Sequence, residues 1–199
     1  MNDSLEKLTR LFLKFPGIGE RQAKRFAYFI LSESQSYVDT LSKELVRARG
    51  VAHTCEQCLR VFEGDEGLCS ICADPSRDQS TIIVVEKSQD IEAFNRTDYH
   101  GLFFILGGLI PIIQKNVLEG TNVKKLEERI QKEKDSLTEL ILAFPLTPNG
   151  EHTDSVIREL LAPIKNGLTI TSLGRGLSTG AELEYADAAS LEASLKKRE

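Results

Sequence analysis

No apolar run in this 199-residue chain approaches the roughly 18 residues that a membrane-spanning helix needs, which excludes a transmembrane protein. The start, Met1-Asn2-Asp3-Ser4, has no basic stretch followed by an apolar one, so no secretory leader is expected and a reducing, cytoplasmic setting is. Low-complexity segments are absent and 41% of the residues are hydrophobic, which excludes a wholly disordered chain. Histidines number three and cysteines four, and the cysteines all fall in one cluster, so no Ser/His/Asp or Cys/His nucleophile set is suggested. Phosphate loops are missing too. Gly174-Arg-Gly176-Leu-Ser-Thr-Gly180 is one residue off the dinucleotide fingerprint, and Gly180 is followed by Ala181 rather than Lys. It reads as an irregular glycine turn.

The net charge of −5 gives no global sign of a polyanion partner, but its distribution does. Residues 1–50 carry nine Lys/Arg against six Asp/Glu, or +3; the remainder carries sixteen against twenty-four, or −8. An acidic body with one basic end suits a protein that touches nucleic acid with one region only, although +3 over such a length also arises by chance.

The four cysteines are Cys55, Cys58, Cys69 and Cys72, two Cys-x2-Cys pairs separated by ten residues. Each pair suits a tight knuckle turn, and two knuckles make a closed tetrahedral site of four thiolates, the arrangement of structural zinc. Zinc is the first choice; iron in a rubredoxin-like site uses similar spacing and stays open, and disulfides are the weaker reading in a reducing compartment. Four thiolates leave no open coordination position, which argues against metal catalysis. His53 is the one competing ligand nearby, and it reads as a surface or neighbouring group. The insert Leu59–Leu68 is too short for a core of its own, so metal affinity is expected to supply its folding energy, on the order of 10 kcal/mol.

Near the start, Leu5, Leu8, Phe12 and Phe15 step by one helical face, and Pro16-Gly17-Ile18-Gly19 breaks the pattern. A second helix follows, with Ala23, Phe26, Ala27, Ile30 and Leu31 inward and Arg21, Lys24 and Arg25 largely on the other side. Residues 14–27 resemble a helix-hairpin-helix motif. The glycines allow a tight turn, Ile18 plugs the space between helices, and the second helix offers unpaired N–H groups and a positive dipole end to a phosphate. Nothing in it reads base edges, so DNA contact through Gly17, Gly19, Arg21, Lys24 and Arg25 is expected to be sequence-independent. The plainer alternative is a packing unit with a solvated basic face. A third helix over about 36–50, with Val38, Leu41, Leu45 and Ala48 in phase and Gly50 at its end, reads as packing.

Beyond the cysteines, strand and helix alternate. Strands are expected at 80–86, 101–106, 137–144 and 168–173, and helices at 90–96, 122–135, 153–164 and 188–197. Inward positions are Val123, Leu126 and Ile130 in one helix and Val156, Leu160 and Leu161 in another. Such alternation implies an α/β domain with a mainly parallel sheet.

The order of these parts, together with Cys72-Ala-Asp-Pro-Ser-Arg-Asp78, a strand ending in Val85-Glu86 and a closing Leu183-Glu-Tyr-Ala-Asp187, resembles the RecR family of bacterial recombination mediators over nearly the whole chain. The resemblance implies a multi-part α/β protein. Its parts are a helix-hairpin-helix region (1–52), a four-cysteine zinc finger (53–76), a Toprim-like domain (77–173) and a C-terminal glycine turn and helix (174–199). It further implies a non-enzymatic role in DNA repair, as a homo-oligomer (tetramer or dimer) that clamps single- or double-stranded DNA at the nucleoid. The family works with RecO and RecF to load RecA. Gly17, Gly19, Arg21 and Arg25 carry over as DNA contacts and the four cysteines as zinc ligands, one ion per chain; Lys24 is added from charge and helical phase.

An enzymatic alternative comes with the Toprim likeness. Catalytic Toprim proteins hold Mg²⁺ with a glutamate after the first strand and an Asp-x-Asp after a later one. Glu86 fills the first place, but no two Asp two residues apart occur in the chain, and Phe144-Pro145-Leu146 stands where the pair would follow. Glu86 is left as a relic, a partner contact or a weak Mg²⁺ ligand. A third class is a pure protein-interaction module. The chain departs from the family at Phe144-Pro145, at Gly176-Leu177-Ser178 and in the highly charged segment 114–136, which puts partner specificity in question more than fold.

Overall fold

A computed structural model describes residues 3–65, 67–113, 119–164, 167–174, 177, 180, 182–186 and 188–196. The chain divides into two compact units, residues 1–52 and 53–199. Among the described residues no helix is long and apolar enough to cross a membrane.

The first unit holds α1 (Asp3–Phe12), α2 (Glu20–Ser32) and α3 (Gln35–Val51). α1 and α2 pack through the fully buried Ala23 and Ala27, whose small side chains allow close approach. The Phe12 and Phe26 rings meet edge to face at 5.7 Å. Ser34 caps α3 by accepting a hydrogen bond from Tyr37 N–H at 3.2 Å. Three expectations are corrected here. α1 stops at Phe12, so Phe15 lies in the following turn, 53% exposed, with its ring against Phe12. Leu31 is exposed rather than inward. α3 runs past Gly50 and buries none of its residues; Val38 is half-buried while Leu41, Leu45 and Ala48 are exposed. A helical stripe identifies a face that wants a partner, and in α3 most of that face stays open.

The second unit opens within β1 (Ala52–Thr54), which pairs with β2 (Val61–Glu63) in a two-stranded ladder. Then come β3 (Thr81–Val85), α4 (Ser88–Phe94), β4 (Leu102–Ile105), α5 (Val123–Lys132), β5 (Glu139–Ala143), α6 (Pro148–Leu161), β6 (Thr169–Ser172) and α7 (Ala188–Lys196). The four later strands form one sheet in the order β4-β3-β5-β6, and every pair is parallel. The period-two geometry of a strand sorts their side chains onto two buried faces. Ile82, Val84, Leu102, Phe104, Leu140 and Leu142 pack on one face with Val123, Leu126 and Ile130 of α5 and Ile157 and Leu161 of α6. Ile83, Val85, Phe103 and Ile105 pack on the other with Ile91 of α4.

α6 begins five residues before its expected start. Pro148 occupies the first helical turn, where its missing N–H costs nothing, and Thr147 caps the helix by accepting from Gly150 N–H at 3.2 Å. A Cβ at position 150 would run into the Pro145 carbonyl oxygen, so only glycine fits there. The buried α6 positions are Gly150, Thr153 and Ile157, along with the expected Leu161; Val156 and Leu160 are partly buried. The Thr153 hydroxyl donates to Asn149 O (2.6 Å) and accepts from Ile110 N–H (2.8 Å), fastening the chain after β4 to this helix. Of the expected glycine turn, positions 175, 176, 178 and 179 fall outside the described residues, as do 187, 114–118 and Lys197, the last residue of the expected terminal helix.

Candidate metal centre and nucleic-acid interface

The first knuckle follows directly from β1. Cys55 N–H donates to Arg60 O (2.8 Å) and Leu59 N–H donates to Cys55 O (3.0 Å), closing a turn that needs Leu59 at φ 63°. The second knuckle is closed by Ala73 N–H on Cys69 O (2.9 Å), and Cys69 N–H points at the Cys55 sulfur (3.4 Å). Glu56 N–H on Gly67 O (3.0 Å) joins the two. All four cysteines are buried, and their sulfurs lie within 4.8 Å of one another. Cys58 and Cys69 Sγ are 3.6 Å apart, too far for a disulfide at ~2.05 Å. His53 is outside the cluster; its ring faces Phe62 at 6.4 Å.

The chemistry of this donor set fits a thiophilic cation. Hydrogen bonds from Cys58 and Cys72 hold the Cys69 thiol far below its ordinary range, whereas the bond with Cys69 pushes Cys58 up to about 12 and the bond with Cys58 pushes Cys72 up. The sulfurs are close enough to share protons through hydrogen bonds among themselves. Four thiolates at such distances need a cation, which replaces the shared protons. Among the described residues this is the only group of three or more His, Cys, Asp or Glu close enough to share an ion.

Glu86 is half-buried at the end of β3, where its carbonyl accepts from Gly107 N–H at 2.9 Å. Val85 pairs with Ala143, so Glu86 follows beside Phe144. The nearby cleft of about 570 Å³ is lined by Phe144, Pro145, Leu146 and Leu173 as well as Glu151 and Asp154. Asp154 is engaged by Arg158 (2.6 Å) and by the Ser172 hydroxyl (2.5 Å). Apolar side chains thus occupy the strand end where a metal-binding pair would stand, and Asp154 is already tied to a cation.

In the first unit the hairpin adopts the expected turn. Gly17 takes φ 76°, a left-handed conformation that favours glycine, and Gly19 is the extended N-cap of α2 with no side chain capping the helix. The amides of the first turn are consequently free of a side-chain partner. Ile18 is half-buried, and its N–H donates to Phe15 O at 3.2 Å. Arg21, Lys24 and Arg25 are all exposed, with Arg25 donating to Gln22 Oε1 at 3.3 Å. Glu20 shares the first turn and offsets part of this charge. Tyr28, 60% exposed, continues the stripe one turn on, and the spacing 21, 24/25, 28 could have revealed it in sequence.

One residue leaves no trace in the sequence reading. Arg129 on α5 is 6% exposed; its Nη1 donates to Phe103 O (2.9 Å) and Gln57 O (3.1 Å), and its Nε pairs with Glu133 (3.2 Å). The available signal was phase: 126, 129, 130 and 133 share one helical face with the apolar positions.

Comparison with known proteins gives a consistent picture. A family model described as "RecR, helix-hairpin-helix" matches residues 5–49, and one described as a Toprim domain matches residues 80–173. The chain is 36% identical over 197 residues to the recombination protein RecR of Lacticaseibacillus casei, covering 98% of this chain and 96% of that protein. To its counterpart in Limosilactobacillus reuteri it is 38% identical over 186 residues, 93% and 90% of the two chains. For the Levilactobacillus brevis protein the identity is 38% over 177 residues, 88% and 86%.

Proposed function

Because the chain belongs to the RecR family of recombination proteins, we propose that it is a DNA-binding mediator of recombinational repair that works without catalysing a reaction. It gathers several copies into a clamp on single- or double-stranded DNA and helps partners of the RecO and RecF type load RecA at gaps. Zinc is the ion proposed for the four thiolates, as the cation that most commonly closes a four-cysteine site. The observation that carries the DNA reading is the exposed stripe Arg21, Lys24 and Arg25 beside an uncapped helix start whose turn is set by Gly17 and Gly19. These groups address phosphates and leave the bases unread.

Assembly is supported by the first unit's surface. Phe29, Leu31, Tyr37, Leu41, Leu45 and Val46 are exposed on α2 and α3. A helix of 17 residues that buries none of them needs a partner to hold it, since most helical stability in proteins comes from packing. Every copy carries the same face, so self-association through a symmetric contact satisfies all of them at once. Assembly also explains how an acidic chain binds DNA: several basic hairpins on one molecule act multivalently. Leu45→Glu should lower the mass measured by light scattering to that of a smaller species and weaken DNA binding with it. An unchanged mass would contradict this interface.

The absence of catalysis is testable at Glu86. Supercoiled DNA incubated with Mg²⁺ should be neither nicked nor relaxed, and Glu86→Ala should retain full DNA binding. Cleavage that disappears in Glu86→Ala would make the protein a Toprim enzyme instead.

A further inference from the structure

A parallel sheet ends in edge strands whose outward N–H and C=O groups must find partners or invite foreign strands. β4 is such an edge. Its outward groups are those of Phe103 and Ile105, and none of the partners they find is a strand. Ile105 N–H donates to Cys58 O at 2.9 Å, inside the first knuckle. Ile105 O accepts from Asn122 Nδ2 at 3.1 Å, at the start of α5. Phe103 O accepts from Arg129 Nη1, and the same nitrogen donates to Gln57 O, between the two cysteines of that knuckle. One guanidinium thereby joins the knuckle, the edge strand and α5. Leu59 and Ile71, each next to a cysteine, pack against both faces of the sheet's core. Arg129 Nη2 and Gln57 Oε1 are buried without a hydrogen-bond partner, so the junction depends on the few bonds it has.

We propose that the metal knuckle takes the place of a fifth strand along β4, with Arg129 as the positioning residue that makes metal loading and protection of this edge one cooperative unit. A loaded knuckle presents Gln57 O and Cys58 O at fixed positions; a collapsed one withdraws both, leaves Arg129 with fewer acceptors in a buried place, and frees the edge. Metal status would then be felt in the α/β domain, some distance along the chain from the cysteines. The proposal rests on the reading that the four sulfurs hold a metal, and the two can fail separately.

The test is hydrogen exchange with mass-spectrometric readout on the full chain, metal-replete and after chelation, with elemental analysis of both. Removing the metal should raise exchange at residues 102–106 about tenfold or more while the far strand, 169–172, changes little. Metal-replete Arg129→Met should show the same rise at 102–106 with its metal content intact, and Arg129→Lys, which keeps a donor, should show a smaller one. The chelation arm needs no variant, and Arg129→Lys stands in if Arg129→Met does not fold. Unchanged exchange at 102–106 after metal loss, an equal rise at 169–172, or full protection in both variants would overturn the proposal. If the purified protein never contains metal, the metal reading fails, and the Arg129 variants alone decide whether this side chain closes the edge.

Discussion

Arg21→Glu combined with Arg25→Glu should abolish retention of DNA while leaving the fold intact. Both side chains are exposed, neither packs in the helix pair, and the buried positions of α2 are Ala23 and Ala27. The substitutions therefore act on charge. Each turns an attraction to phosphate into a repulsion, and in an assembly the change is repeated in every subunit, so the multivalent gain disappears together with the individual attractions. Circular dichroism and melting should match the parent within the scatter of ordinary surface substitutions, about 0.5 kcal/mol. DNA retention equal to that of the parent would show that the hairpin only packs, as the plainer reading of the sequence holds.

The second large effect is expected from the metal. Stripping it, or replacing Cys58 with Ser, should unfold the knuckles. Among the described residues of 55–72 the short strand β2 is the only regular element, and the hydrophobic neighbours packed against the cysteine cluster are Phe62 and Ile71. The free energy for holding this segment comes from the ion, on the order of 10 kcal/mol for structural sites of this type. Acid should act in the same direction, because thiolates must be protonated as metal leaves. Metal content should therefore fall as pH is lowered and be regained on neutralisation. Cooperative thermal unfolding at the parent temperature in fully metal-free protein would refute the structural role.

What could be read from sequence follows a physical division. The cysteine cluster was legible because a metal dictates ligand type and spacing within a few residues. The hairpin was legible because Gly17 is needed at a left-handed φ. Buried parallel strands announce themselves as β-branched runs, as Thr81–Val85 does. Two kinds of feature were hidden. Pro148 has opposite meanings inside a helix and in its first turn, and only the cap on Thr147 tells them apart. Arg129 looks like one more charge on a highly charged helix: its phase sets it among the apolar positions, but periodicity does not name long-range partners such as Gln57 and Phe103. α3 shows the complementary limit. Its stripe reads as packing, yet periodicity names the face and not the molecule that covers it.

Binding to DNA of several unrelated sequences, measured as a function of salt, reports on whether the hairpin holds phosphates. If the hairpin holds phosphates, the affinity falls steeply and linearly on logarithmic axes, with the same slope for every sequence. Arg21→Ala with Arg25→Ala then flattens that slope by about 0.9 for each duplex phosphate no longer neutralised. A slope that stays near zero in the parent, or one that is steep but untouched by the double substitution, would place DNA elsewhere or nowhere on this protein.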